Sequence, residues 1–231
     1  EALEDLDEAE RWGLPAQRTS GKRASIFDAR GEVDEALRAQ LDVVSTRSDI
    51  HTLGALAVLL GELERRDEAL DAFHLALAGF DDTLPFPVAW LFFRQGTFWE
   101  SEGRKDLALA HYKAALERVP AYAHAAAHLA RLSPPAQAIE VLVPLCAKSD
   151  DPELEGVLSD KLRESGDKAG ADAHLARAAT RYAELTARMP AAFADHAAQF
   201  WLDTGNDPKK ALELARVNLA VRQTPKAYEL A

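Results

Sequence analysis

The chain has 231 residues, and its 38 aspartate and glutamate residues outnumber its 27 lysine and arginine residues, which gives a net charge of −11. This excess of acid argues against a nucleic-acid backbone or an anionic membrane surface as the partner, since both require a basic face. No segment approaches the roughly 18 apolar residues of a membrane span, and the single cysteine, Cys146, excludes an internal disulfide and carries no signal of compartment.

Residues 1–15 form a short amphipathic segment that is typical of the second helix of a helical hairpin, and Gly13 and Pro15 end it. Its apolar stripe has no preceding helix to cover one side, and the chain does not begin with methionine. We therefore expect a processed or shortened chain that opens with half a hairpin.

The next two segments, residues 17–48 and 50–80, each predict a pair of helices joined by a short turn. In the first pair the turn falls at Gly31, and the leading helix is polar and contains Gly21. Residues 79–87 then form a proline-containing insertion before the next pair. We expect residues 17–48 to be the least stable complete hairpin.

Residues 86–120 carry the clearest pattern in the chain. Apolar and aromatic side chains recur there at spacings of three and four, which places them on one face of each of two helices. The residues of the two stripes are Phe92, Gly96 and Trp99 on the first helix and Ala108, Tyr112 and Ala115 on the second. Gly103 marks the turn between the helices, and Pro120 ends the second one. We expect the helices to approach most closely at the small residues Gly96 and Ala108.

At these positions the segment resembles the tetratricopeptide repeat, a helix–turn–helix unit of about 34 residues. The family's succession of aromatic, leucine-glycine, aromatic, alanine, aromatic and proline positions is filled, except that Gln95 stands in place of the leucine. The resemblance, to helical repeat proteins of bacterial type, implies an all-α fold that is a right-handed solenoid of hairpins. It also implies that first helices line a concave groove and that second helices form the outer face.

The small position of the second helix recurs along the whole chain. The alanines concerned are Ala2, Ala36, Ala69, Ala108, Ala138, Ala171 and Ala211. Subtraction of their numbers gives intervals of 34, 33, 39, 30, 33 and 40 residues, close to the period of the repeat. An isolated globular domain has no reason to repeat in this way.

We therefore predict a single solenoid over residues 1–231. After the half repeat at residues 1–15, its hairpins are expected at residues 17–48, 50–80, 86–120, 121–149, 152–190 and 191–222, followed by the start of a further helix at residues 225–231. Both ends of such a stack are expected to lack outer neighbours.

The chain lacks the motifs of the common catalytic sites, since it has no phosphate-binding glycine loop, no nucleophile elbow and no pair of zinc-binding cysteines. Cys146 lies among apolar residues and is expected to be a small buried side chain rather than a nucleophile. Acidic pairs such as Glu62 and Glu64 are expected on solvated turns. We therefore predict that the protein is not an enzyme and that it has no catalytic residue and no cofactor.

Two histidines, His124 and His128, lie one helical turn apart, a spacing that can hold Zn²⁺, Ni²⁺ or Cu²⁺. Only alanines separate them, and no acidic partner is near in the sequence, so no metal site is predicted. The resemblance places on the groove side His51, His124, His128 and His196, and on the outer helices His74, His111 and His174.

The predicted ligand-binding residues lie on the first helices of the third and fourth hairpins. They are Trp90, Phe93, Arg94, His124, His128 and Arg131. The core positions of the repeat are filled without Trp90 and Phe93, and aromatic and arginine side chains are the types that anchor interfaces. Trp90 is equally compatible with packing under the insertion at residues 81–87. The groove side is also expected to include Arg163, Phe193 and Phe200.

Two functions remain open. The first, which the resemblance implies, is a non-catalytic scaffold that binds a protein or peptide in the concave groove. A groove with local cationic character favours a partner segment that carries carboxylates. The second is a structural or self-associating segment of a larger repeat protein, whose open ends stack on further repeats or on another subunit.

Overall fold

The computed structural model describes residues 2–231, except for the side chain of Gln17, and every regular element in that part of the chain is an α-helix. Most of the helices are joined by turns of a few residues. Their bounds are α1 Ala2–Arg11, α2 Ala16–Ala29, α3 Val33–Thr46, α4 Ile50–Glu62, α5 Arg66–Ala78, α6 Pro85–Ser101, α7 Lys105–Arg118, α8 Ala123–Leu132, α9 Pro135–Cys146, α10 Pro152–Ser165, α11 Lys168–Arg188, α12 Pro190–Leu202, α13 Pro208–Leu219 and α14 Pro225–Leu230.

The helices pair into six hairpins, which run from α2–α3 to α12–α13. In most hairpins the two helices contact each other more extensively than they contact any neighbour, and α6 with α7 is the strongest case. The hairpin α8–α9 is the exception, since α9 packs more against α10 than against the short α8. Successive hairpins stack through contacts such as those of α4 with α6 and of α8 with α10. The predicted fold class, an all-α solenoid of helical hairpins, is confirmed.

The alanine that recurs along the sequence is buried in every hairpin. The residues with 0% exposure are Ala36, Ala69, Ala108, Ala138 and Ala171, and Ala211 is 3% exposed. In α1, which has no preceding helix to pack against in the described chain, Ala2 is exposed. The repeat that is visible in the sequence therefore corresponds to one packing position per hairpin.

The closest approach in the hairpin α6–α7 differs from the prediction. A methyl group built on Gly96 would collide with the ring of Tyr112, which is 0% exposed, rather than with Ala108. Gly96 therefore makes room for an aromatic ring that crosses from the second helix to the first. Gly96 and Tyr112 therefore pack against each other, while Ala108 is buried without being the closest neighbour of Gly96.

Left-handed residues lie in the turns of five of the six hairpins, and they include Gly166, with φ 94°, and Asn206, with φ 48°. Gly31 and Gly103 have φ values of 70° and 68°, at the positions where the sequence predicts turns. Between α4 and α5 the same conformation is taken by Glu64, with φ 58°, which is costly for a residue with a Cβ atom.

The two ends of the solenoid have different surroundings. None of the described residues of α1 is buried, and the ring of Trp12 just after it is 84% exposed. At the other end, the Gln223 N–H donates to the Ala29 carbonyl at 2.7 Å, and the Gln223 carbonyl lies against Gly31. The prediction that both ends lack neighbours is therefore wrong for the C-terminal end, because the solenoid curves until the turn before α14 meets the turn between α2 and α3.

None of the helices described for residues 2–231 is both long and apolar enough to cross a lipid bilayer.

Candidate functional site

The first helices of the hairpins form one side of the solenoid, which we call the first-helix face. Helices α2, α4 and α6 together line a cavity of about 210 Å³ on this face. Farther along, the rings of His124 on α8 and His196 on α12 lie nearly parallel, with centroids 6.4 Å apart. The face is therefore curved enough to bring side chains of alternate hairpins together.

The cavity has apolar walls and a small number of charged groups. Its lining residues are Ala24, Ser25, Asp28, Gln40, Ala55, Val58, Leu59, Glu62, Trp90 and Arg94. Two of the predicted ligand-binding residues, Trp90 and Arg94, are thus neighbours on this cavity. The sequence does not predict the contribution of α2.

Trp90 is held against α4. A Cβ atom at Gly54 would lie 2.6 Å from the six-membered part of the indole, so the glycine is what allows the ring to lie flat on that helix. The ring of His51, on the same helix, lies 5.8 Å from the indole. Trp90 therefore packs on the preceding hairpin and lines the cavity, and the alternative position under residues 81–87 is not the one observed.

Three charged side chains at the cavity, Asp28, Glu62 and Arg94, form what we call the unpaired group. The Arg94 Nε is buried and has no hydrogen-bond partner among the described residues. Burial raises the pKa of Asp28, and burial together with the nearby charge of Asp28 raises the pKa of Glu62, while the charge of Arg94 acts in the opposite direction on both. Neither carboxylate accepts a hydrogen bond from the described part of the chain. Glu62, the last residue of α4, is exposed beside the turn to α5, as expected, and it also lines the cavity.

A second set of charges lies on α6, α8 and α10, and we call it the paired group. Its members are Glu100, His124, His128, Arg131 and Glu153, together with the hydroxyl of Tyr112. The Tyr112 hydroxyl donates to Glu100 at 2.5 Å, and the His128 Nδ1 lies 2.9 Å from the same carboxylate oxygen. Burial works against ionisation of Glu100, but these two hydrogen bonds outweigh it and lower its pKa.

Glu153 is the other acidic centre of the paired group. Its carboxylate lies 2.8 Å from the Arg131 guanidinium and 3.2 Å from the His124 Nδ1, and its side chain is 11% exposed. Burial alone would raise the pKa of Glu153, but the hydrogen bond from His124 and the charges of Arg131 and His128 lower it to about 2. The hydrogen bond to Glu153 in turn raises the pKa of His124.

The prediction that His124 and His128 lack acidic partners is therefore wrong. Each ring has a carboxylate of its own, Glu153 for the first and Glu100 for the second. These carboxylates belong to neighbouring hairpins, 29 and 28 residues away, so no spacing within one helix reveals them. The two rings are consequently directed to different partners and do not share a ligand position.

Phe93 does not lie on the surface of the first-helix face. It is 9% exposed, and its ring packs 5.4 Å from Tyr122 and 6.0 Å from Tyr112 in the core between the third and fourth hairpins. The prediction that Phe93 falls outside the core is wrong, because the alanine-rich α8 leaves space that an aromatic ring fills. Phe200, also expected on the groove side, is buried as well: it is 6% exposed, and its ring lies 4.9 Å from that of Tyr182.

No protein-family model and no curated protein matches the sequence. Solved structures do match the architecture. PilF of Pseudomonas aeruginosa has 17% identity and a TM-score of 0.60 over 93% of this chain and 95% of PilF. MamA of Desulfovibrio magneticus RS-1 has 18% identity and a TM-score of 0.53 over 70% of this chain and 92% of the MamA chain.

The C-terminal part of a TPR repeat-containing protein of Cytophaga hutchinsonii matches as well, with 15% identity and a TM-score of 0.53 over 90% of this chain and 98% of that one. The chain has the tetratricopeptide-repeat fold. At identities of 15–18% the likeness is one of architecture.

Within this tetratricopeptide-repeat fold, one group among the described residues brings three metal-ligating atom types together. Cys146, Glu155 and His174 have ligand atoms within 4.8 Å of one another. However, the Glu155 carboxylate is already 2.5 Å from the His174 Nδ1 and 3.1 Å from the Arg177 Nε. A cation there would face the guanidinium of Arg177, so the group is better described as a buried ion pair that joins α10 to α11. Burial and the charge of Glu155 raise the pKa of Cys146 to about 12.

Sequence reasoning missed the acidic members of both groups. Asp28 and Glu62 come from the two hairpins before Arg94, whereas Glu100 and Glu153 flank the histidine pair from either side in the stack. The sequence gives a local indication only for Glu153. This residue follows Pro152 in the first turn of α10, which is the first helix of its hairpin, and that position faces the preceding hairpin. The remaining acids carry no local signal.

Proposed function

We propose that this chain is a non-catalytic scaffold that binds a protein or peptide segment in the groove lined by its first helices. The observation that carries the proposal is the cavity bounded by Trp90 and Arg94, together with the buried Arg94 Nε that no described residue satisfies. Aromatic and arginine side chains are the usual anchors of interfaces, and a buried donor without a partner is costly unless the ligand satisfies it, which a backbone carbonyl of a bound segment can do. The tetratricopeptide-repeat resemblance implies the same use of this face.

The groups that could support catalysis are engaged elsewhere. The raised pKa of Cys146, about 12, keeps its thiol protonated at neutral pH, so that it is a poor nucleophile. His124, His128 and His174 each bind a carboxylate that joins two helices. These contacts connect helices of the solenoid, so the groups concerned serve the fold rather than a reaction.

We propose that a carboxylate of the bound segment is recognised at the edge of the paired group. Arg131 and His124 have side chains that are 41% and 50% exposed, so the Arg131 guanidinium, and the His124 ring when it is protonated, retain N–H donors beyond their contact with Glu153. A partner carboxylate would share these donors with Glu153. Its binding would be favoured by local charge although the protein as a whole is acidic.

The proposal is tested with the triple variant Trp90→Ala, Arg94→Gln and Arg131→Gln. Glutamine is used because a glutamate at position 131 would lie beside Glu153 and repel it. We expect the dissociation constant for a captured partner, measured by calorimetry, to rise at least ~30-fold. Helicity and a cooperative thermal transition should be retained, although the loss of the Arg131 contact with Glu153 is expected to lower the melting temperature.

The matched control places the same types of change on second helices, as Leu75→Ala, Arg38→Gln and Lys113→Gln. These side chains lie on α5, α3 and α7 and are exposed. The control is expected to bind as the parent does. Equal binding by the control and the groove variant would show that the groove is not the site.

The second candidate function, self-association within a larger assembly, is favoured by α1. Trp12 is 84% exposed, and an indole in water is an unused contact surface. Sedimentation equilibrium of the parent and of Trp12→Ser separates the two functions. A parent that dimerises, with a variant that does not, supports association through α1. Tyr228→Ser, which changes a 59% exposed ring at the other end, is the control.

A further inference from the structure

The geometry points to the cavity between α2, α4 and α6 as a pocket for one basic side chain, lysine or arginine, of the bound segment. This inference rests on the proposed function and names what the segment must carry. It also predicts a charge opposite to the carboxylate that the paired group would recognise.

The size of the cavity suits a single side chain. Its volume of about 210 Å³ is below the roughly 300–1,000 Å³ of sites that hold a small-molecule ligand. The walls nearest the core are apolar, because Ala24 and Leu59 are buried there and Val58 is half-buried beside them. The long methylene stem of lysine or arginine matches such a wall while its charged head reaches a polar end.

The charges at the polar end favour a cation. Two carboxylates, Asp28 and Glu62, face one guanidinium, Arg94, and no hydrogen bond or ion pair within the described part of the chain neutralises either carboxylate. The charge of Lys226 on α14 acts on Glu62, but Lys226 does not line the cavity. One negative charge of the lining is therefore left for the ligand to neutralise.

The other polar groups of the wall are already used. The Gln40 amide donates to the Thr52 carbonyl at 2.8 Å, and the Ser25 hydroxyl donates to the Gly21 carbonyl at 3.1 Å. The groups that remain for recognition are therefore the charged ones.

Trp90 supplies a surface for the head group. Its ring packs against Gly54 and His51 of α4, so it is held at the cavity and loses little side-chain freedom on binding. A lysine ammonium or an arginine guanidinium is attracted to the face of an indole, and arginine also stacks on it. A carboxylate in the same place would meet Asp28 and Glu62.

The two charged groups together give the groove a direction. A segment that places a basic residue at α2, α4 and α6 and an acidic residue at α8 and α10 satisfies both, whereas the reversed segment places each charge beside one of its own sign. The unpaired group therefore sets orientation as well as affinity.

Panning of a phage-displayed library of random dodecapeptides against the intact chain tests the inference. The expected result is a set of enriched peptides that share a lysine or arginine and that are no longer captured by Asp28→Asn with Glu62→Gln. Asp71→Asn with Glu117→Gln makes the same charge change on exposed positions of α5 and α7 and is expected to capture them as the parent does.

The outcomes separate this inference from the proposed function. Enriched peptides without a common basic residue, or peptides that the Asp28 and Glu62 variant still captures, overturn the pocket; if the triple groove variant loses them, the groove remains the binding site. A library from which nothing is enriched, or from which the triple variant loses nothing, overturns both.

Two further measurements test the charge of the ligand and its access to the cavity. In an enriched peptide, replacing arginine by the uncharged isostere citrulline is expected to weaken binding at least ~10-fold. Ala55→Trp, at the exposed mouth of the cavity, should do the same by blocking entry without altering a charge. Binding of N-acetyl-arginine amide as tightly as the whole peptide would assign the pocket to a free small cation instead, and would overturn a peptide as its source.

Discussion

The paired and the unpaired group occupy the same face of the solenoid, yet their charges are satisfied in opposite ways. Glu100 accepts hydrogen bonds from Tyr112 and His128, which join α6 to α7 and α8. Glu153 bonds to His124 and forms an ion pair with Arg131, and these contacts join α10 to α8. Asp28, Glu62 and Arg94 lie on α2, α4 and α6 without a direct bond between them. The paired group thus stabilises the stack of hairpins, whereas the unpaired group contributes little to it and is available to a ligand.

Tyr112→Ala breaks the paired group most severely. The ring is 0% exposed and fills the space at Gly96, and its hydroxyl bonds to Glu100, so its removal leaves a cavity and a carboxylate with one hydrogen bond fewer. We expect a loss of about 3–5 kcal/mol in the free energy of unfolding, measured by urea denaturation. Tyr112→Phe keeps the ring and should cost only about 0.5–1.5 kcal/mol. Unfolding of the alanine variant at the parent's midpoint would remove this residue from the core.

Glu153→Gln tests the electrostatic part of the paired group. Because its pKa is lowered from 4.5 to about 2 in the folded chain, ionised Glu153 stabilises the fold on the order of 3 kcal/mol at neutral pH. That contribution is complete above pH 4.5 and is lost as the pH falls from 4.5 to about 2. We expect the variant to be less stable than the parent at neutral pH and to lose less stability over that acidic interval.

The control for Glu153 is Glu184→Gln, which removes an exposed partner of Arg181 on the outer helix α11. Exposed ion pairs are screened by water, so little change is expected. Identical pH profiles for Glu153→Gln and the parent would show that the buried contacts with Arg131 and His124 do not matter for stability.

Gly96→Ala and Gly21→Ala make one substitution at two sites with opposite surroundings. The methyl group at position 96 would collide with Tyr112, whereas nothing lies within 4 Å of a methyl group at position 21 in the middle of α2. We expect a loss of about 1–3 kcal/mol at the first site and a gain of about 0.5–1 kcal/mol at the second, where alanine favours the helix. Thermal melting followed by circular dichroism distinguishes the signs. A stabilising Gly96→Ala would contradict the packing of Tyr112.

Asp28→Asn with Glu62→Gln should have the smallest effect on folding. The pKa values of both acids are raised in the folded chain, so their ionised forms oppose folding at neutral pH, and this cost is relieved as the pH falls through those values. Arg94 and Lys226 offset part of the cost. We expect the double variant to lie within about 1 kcal/mol of the parent and on the more stable side. A marked destabilisation at neutral pH would show that these two acids stabilise the fold, as the paired group does.

Much of the fold could be predicted from local pattern. The recurring alanines are buried in all six hairpins, and the turns at Gly31 and Gly103 take the left-handed conformation that the sequence predicts. Trp90 and Arg94 were correctly placed on the first helices by the repeat register, although the register did not show that they share a cavity. These features depend on residues three, four or about 34 positions apart, which the sequence displays directly.

What a first helix faces depends on the neighbouring hairpins, and only the tertiary structure decided it. The sequence by itself determined the helices, the hairpins and the buried alanine that recurs at the same place in each hairpin. The packing angle between hairpins then decided that Phe93 enters the core, that Glu100 and Glu153 reach two histidines, and that Gln223 meets Ala29. The angle between two hairpins depends on many side-chain contacts, and small rotations from one hairpin to the next accumulate along the stack. No single motif therefore encodes where the two ends of the solenoid meet.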